Sequence, residues 1–154
     1  MLIFLDIDGV MVPAKSWETP VLLNDGFSSF SSKAISVIQA LISDNTTILL
    51  TTSHKSRYSI DKWKSIFEKR GIVVSELKTL DENIKNLSRK DEILNWVNIN
   101  NINEDFVIID DDKSLNDLPG FLKDNLILTS PLVGLNESHL CKINSILENR
   151  LQLA

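Results

Sequence analysis

A chain of 154 residues is long enough for one domain with a proper core, here taken as 1–154, and its 43% apolar and 24% charged residues are those of a globular protein in water. A net charge of −5 argues against non-specific coating of nucleic acid, no run approaches the roughly 20 apolar residues that span a bilayer, and the start lacks the basic region and cleavage site of a signal peptide. A single cysteine, Cys141, excludes an intramolecular disulfide and a cysteine-built zinc site; it is expected as a small buried hydrophobe, and the cytoplasm as the compartment.

The first element is an apolar strand over Leu2–Leu5, which runs into Asp6-Ile7-Asp8-Gly9. Residues 10–31 differ from the rest: Pro13, Pro20, the short run Val21-Leu22-Leu23 and an Asn24-Asp25-Gly26 turn signal predict an extended flap or hairpin. Ala34, Val37, Ile38, Leu41 and Ile42 keep helical spacing, with Asn45 as the stop. A strand is expected over Thr47–Leu50. The next helix carries Tyr58, Trp63, Ile66 and Phe67 and stops at Gly71. Between His54 and Arg70, six cations (Lys55, Arg57, Lys62, Lys64, Lys69, Arg70) face two acids, which reads as a solvated helix face.

Residues 72–74 predict a third strand, and Ser88-Arg89-Lys90-Asp91 a capping box that opens a helix with Ile93, Leu94, Trp96 and Val97 on its apolar side. Strands follow over 106–109 and Leu126–Leu128, and a last helix over 137–151 carries Leu140, Ile143, Ile146 and Leu147. This alternation predicts an α/β fold: a doubly wound parallel sheet of about five strands.

Ligands of such sheets bind beyond the carboxyl ends of the strands. There the sequence places Asp6 and Asp8 after strand one, Thr51-Thr52-Ser53 after strand two and Asp110-Asp111-Asp112 after strand four, with Arg89 and Lys90 opening the helix before strand four. Each has a plainer reading: a turn for Asp6–Gly9, helix caps for the hydroxyls and for Asp110-Asp111-Asp112, a solvated cation for Lys90. Their conjunction on one rim, and the repulsion among consecutive acids, point instead to a functional site that holds a cation.

The motifs FLDIDGV, ILLTTS, SRKDEILNWV and FVIIDDD, in this order along the whole chain, resemble the haloacid dehalogenase (HAD) superfamily of aspartate-nucleophile phosphatases. The TTS and IIDDD forms resemble small capless members that act on polynucleotide ends or phosphoproteins, and LILTSPLVGLNESHL resembles HAD domains associated with RNA-repair proteins. The resemblance implies a HAD-like Rossmannoid fold with a short flap over 10–31 and no separate cap. It implies an Mg²⁺-dependent phosphohydrolase in which Asp6 attacks phosphorus and Asp8 is general acid and base. Gly9 would let the chain turn so that both acids reach one site. Thr51 would hold the phosphoryl group and Lys90 its developing charge, with Arg89 or Lys85 as alternatives for that cation; Thr52 and Arg89 join Gly9 as substrate-binding residues. The metal ligands implied are the Asp6 carboxylate, the Asp8 carbonyl and one acid of the pair Asp110 and Asp111, with Asp111 favoured. Asp112 has no assigned role.

A dehalogenase needs no acid at Asp8, whereas expelling an alcohol from a phosphate ester does. Two other classes compete: a receiver-like switch phosphorylated near Ser75 and Glu76, where the third strand is expected to end, and a non-catalytic domain that binds phosphorylated ligands. Neither the flap nor the Ser/Lys/Asn-rich stretch before Lys90 can hold a cap of roughly 50 residues. An open site suits extended phosphoesters, polynucleotide ends first and phosphoproteins second, with Trp17 either stacking on a base or anchoring the flap. Neither a membrane nor a particular oligomeric state is implied.

Overall fold

The structure is a computed structural model that describes residues 1–15 and 17–153, with only the backbone of 150–153. Five strands, β1 (Leu2–Leu5), β2 (Thr47–Leu50), β3 (Glu76–Thr79), β4 (Phe106–Asp110) and β5 (Leu126–Leu128), form one parallel sheet in the order β3-β2-β1-β4-β5. Among the described residues five α-helices connect and cover them: α1 (Ser32–Leu41), α2 (Ile60–Lys69), α3 (Arg89–Asn100), α4 (Gly120–Lys123) and α5 (Glu137–Leu153).

Alternation within the strands makes two cores. Ile3, Leu5, Ile48, Leu50, Val107 and Ile109 pack on one face with residues of α1, α2 and α5. On the other, Leu2, Phe4, Leu49, Phe106 and Ile108 pack with Ile93 and Val97 of α3 and with Leu115, Leu118 and Leu122 beyond β4. The chain winds one way from β1 through β3 and the other from β4, so the switch point falls between the adjacent β1 and β4. None of the described helices is long and apolar enough to cross a membrane.

The third strand lies at 76–79, not at 72–74. Gly71 takes φ +85°, and the Ile72 N–H donates to the Phe67 carbonyl at 3.0 Å, so the buried Ile72 closes the end of α2 while Val73 is exposed. The true β3 is an edge strand, Glu-Leu-Lys-Thr, that buries only Leu77 well, and its polar alternation hides it. Helix α1 ends at Leu41, before Asn45, and α2 starts after its N-cap Ser59, which excludes Tyr58. Ser88 does cap α3, its hydroxyl accepting from the Asp91 N–H at 3.2 Å.

Three expectations about burial are corrected. Cys141 is exposed and free. Lys55 and Arg70 do not belong to a solvated face; both are buried, Lys55 Nζ 2.8 Å from Glu92 Oε2 and Arg70 paired with Asp25. Trp17, 68% exposed, does not anchor the flap.

The flap holds one small antiparallel hairpin, with Leu22 opposite Ser28 and Gly26 at φ +79° in its turn. Arg70 fastens it: its guanidinium donates to both Asp25 carboxylate oxygens (2.7 and 3.0 Å) and to the Phe27, Ser28 and Ile66 carbonyls, against the faces of Phe27 and Phe30. No segment forms a separate cap among the described residues.

Candidate active site

Backbone ladders continue one residue past four strand ends and set a row of positions on one rim. The Asp6 N–H donates to Ile109, Thr51 to Leu5, Leu80 to Leu50 and Thr129 to Asp110. Asp6 and Asp110 thus meet at the switch point. Asp6, Asp110 and Asp111 each offer a carboxylate oxygen, and these atoms lie within 4.8 Å of one another.

Asp110 is fully buried and its lone pairs are taken. Its Oδ2 accepts from Arg89 Nη1 at 2.6 Å and Thr51 Oγ1 at 3.1 Å, and its Oδ1 from the N–H groups of Asp111 and Asp112. Arg89 Nη1 also reaches the Thr51 hydroxyl at 3.2 Å and lies 3.4 Å from Asp6 Oδ1. Burial, and next the Asp110 carboxylate, push Asp6 well above the ordinary carboxylate range despite the pull of Arg89. Burial also raises Asp111, with Asp110 adding to it. Arg89 runs the other way: burial opposes its charge, but Asp110 and Asp6 hold it more firmly protonated than usual.

The cation among these acids is therefore Arg89, not Lys90. Among the described residues Lys90 makes no ion pair within 4.0 Å; its backbone N–H donates to Ser114 Oγ at 3.3 Å. Lys85 is exposed, on the loop before α3. Thr52 is buried and turned inward, its hydroxyl accepting from the His54 N–H at 3.2 Å. Asp112 caps the short 3-10 turn Lys113–Asp117 through the Ser114 N–H, which gives that acid a structural role. Asp8 is the exposed member of the group, and its Oδ2 meets His54 Nε2 at 2.7 Å.

Gly9 takes φ +80°, and a β-carbon there would collide with the Asp111 carboxylate. The approach of Asp111 to the Asp6–Gly9 loop therefore demands glycine twice over. Two residues escaped the sequence reading. Thr129, just past β5, donates its hydroxyl to the Gly9 carbonyl at 2.8 Å, and reading the fifth strand end like the others would have found it. His54 directly follows Thr51-Thr52-Ser53 but reads there only as the start of a basic stretch.

The receiver-like arrangement does not form. Glu76 opens β3 instead of ending a strand, and it accepts from Thr47 Oγ1 at 3.1 Å at the start of β2, so it lies at the opposite edge from the acids.

Residues 2–140 match the family described as HAD domain in Swiss Army Knife RNA repair proteins. The chain belongs to this family. The five-stranded parallel sheet with its flanking helices is accordingly a HAD-like Rossmannoid fold without a cap. Membership in the HAD family supports phosphohydrolase chemistry in general, and the Asp6, Asp110 and Asp111 cluster is compatible with it. Comparison with curated proteins and with solved structures gives no significant match.

Proposed function

We propose that this HAD domain is an Mg²⁺-dependent phosphomonoester hydrolase that works through an aspartyl-phosphate on Asp6. The observation that carries this reading is the trio of carboxylates within 4.8 Å at the switch point, faced by Arg89.

The residues fit a divalent cation. Three carboxylates share one small volume with one guanidinium, and hard oxygen donors suit Mg²⁺. Asp6, the Asp8 carbonyl and Asp111 would hold it, because Asp110 already spends both oxygens on Arg89, Thr51 and two N–H groups. When bound, Mg²⁺ neutralises the acids and polarises the phosphoryl oxygens.

The side chains divide the rest. The Asp6 carboxylate attacks phosphorus as the bond from phosphorus to the ester oxygen breaks, and Asp8 gives its proton to that oxygen so that an alcohol leaves. A water then attacks the phosphorus of the aspartyl-phosphate, returns a proton to Asp8 and releases phosphate and the Asp6 carboxylate. Arg89 orients the phosphoryl group and stabilises its charge, and Thr51 adds a hydrogen bond once its hydroxyl turns from Asp110 to a phosphoryl oxygen.

The substrate we assign is the phosphorylated end of an extended molecule, a polynucleotide before a phosphoprotein. The uncapped rim, the exposed Trp17 beside it in sequence on the flap, and the RNA-repair setting named for the family support that choice. A cytoplasmic setting suits the free, exposed Cys141. The test is turnover of 5′- and 3′-phosphorylated oligonucleotides, phosphopeptides and small phosphoesters with and without Mg²⁺, with Asp6→Asn as control. Mg²⁺-dependent release of phosphate that Asp6→Asn abolishes is expected; wild-type rates in Asp6→Asn overturn the reading.

A further inference from the structure

We infer that His54 is a positioning residue for Asp8, and that the flap hairpin holds it in place. The inference rests on the proposed role of Asp8 as general acid and base.

Asp8 is the one acid of the site whose carboxylate stands largely in solvent, 57% exposed, where nothing in its own loop fixes its rotamer. A general acid must present a protonated oxygen to the leaving group within hydrogen-bond reach. His54 Nε2 lies 2.7 Å from Asp8 Oδ2; in the tautomer that carries the proton on Nε2 it donates to that oxygen and so leaves Oδ1 for the leaving group.

His54 is itself fixed at three points, two on its backbone and one on its ring. Its backbone N–H is held by the buried Thr52 hydroxyl at 3.2 Å, and its carbonyl accepts from the Arg57 N–H at 2.8 Å. Its ring meets the Phe27 ring edge-on at 5.8 Å. Phe27 is held in turn by Tyr58 and Trp63, by Arg70 over its ring, and by the Asp25–Arg70 pair two residues back. A continuous packed chain thus runs from the Asp25 turn through Phe27 and His54 to Asp8. It gives residues 21–29 a function.

The experiment compares wild type, Asp8→Asn, His54→Phe and His54→Gln on aryl phosphates whose leaving groups run from p-nitrophenol to phenol to p-methoxyphenol. His54→Phe keeps a ring against Phe27 and removes the donor, while His54→Gln keeps an N–H donor; thermal melting checks that each folds. A good leaving group needs no proton, a poor one does. His54→Phe should therefore leave kcat/KM for p-nitrophenyl phosphate within about threefold and lower it roughly tenfold or more for p-methoxyphenyl phosphate, a part of the 10²–10⁴-fold that general acid catalysis supplies. His54→Gln should restore most of the loss. If Asp8→Asn shows the leaving-group dependence and His54→Phe does not, or if folded His54→Gln is as impaired as His54→Phe, the inference is overturned while the function stands. If Asp8→Asn shows no leaving-group dependence, or the wild type turns over no aryl phosphate with Mg²⁺, the functional reading falls and the inference with it.

Discussion

Arg89 Nη1 donates to Asp110 Oδ2 at 2.6 Å and stands 3.4 Å from Asp6 Oδ1, so one guanidinium serves the two acids that end the adjacent central strands. Removing one partner of a buried charge pair leaves the other uncompensated and costs about 3–5 kcal/mol. Arg89→Ala is expected to lower stability by that order in urea titrations and to abolish measurable turnover. Lys90→Ala, one residue on, should leave kcat/KM within about threefold. The reverse ranking would return the role to Lys90.

Mg²⁺ should raise the melting temperature, because a cation that binds only the folded chain stabilises it, by about 2.7 kcal/mol at a hundredfold excess over its Kd. Asp111→Ala should remove most of that rise and stabilise the metal-free protein by relieving repulsion within the trio. Asp110→Asn should instead destabilise with or without metal, since it strips Arg89 of its closest counter-charge. Calorimetric melting of the three proteins with Mg²⁺ and with a chelator separates these outcomes.

Gly9→Ala meets both a positive φ of +80° and the Asp111 carboxylate. It should cost more than about 1 kcal/mol and weaken the Mg²⁺-dependent stabilisation more than Gly26→Ala, where φ is +79° but the space is open. Equal Mg²⁺ responses in the two variants would dissociate Gly9 from the metal.

Asp25 carries a pH signature. Its hydrogen bonds from Arg70 hold its carboxyl down at about 2, against an ordinary 3.8. The stability this pair contributes is therefore complete above 3.8 and is lost as the pH falls through about 2. The stability gap between wild type and Asp25→Asn, measured by urea unfolding at pH 6 and again near pH 2, should be widest at pH 6 and shrink with acid.

What the sequence made legible, and what it hid, divides on burial. β1, β2, β4 and β5 are central or packed on both faces, so their apolar runs announce them; the edge strand β3, with Glu76 and Lys78 turned to water, does not. Asp6, Thr51 and Asp110 were found because each follows or ends such a strand. Arg89 and Lys90 are neighbours at the start of one helix, and only the direction in which each side chain leaves the first turn separates them, which spacing does not report. Lys55 and Arg70 looked like solvent face because their partners, Glu92 and Asp25, stand 37 and 45 residues away in the chain. Such long-range pairing has no local pattern to betray it.

The Asp6–Gly9 loop is closed from the far side of the chain. Thr129 Oγ1 reaches the Gly9 carbonyl, the Leu135 N–H reaches Val10 at 2.9 Å, the Ala14 N–H reaches Pro131 at 2.7 Å, and Gly134 lies so tight on the Val10 carbonyl that no side chain fits there. Contacts this distant in sequence form late and slow folding down. During synthesis β1 is then made long before its native arrangement can close: it waits for β4, and its loop for residues 129–135. A nascent chain stopped at residue 125 would hold every acid of the site but none of the contacts from residues 129–135 that close the Asp6–Gly9 loop.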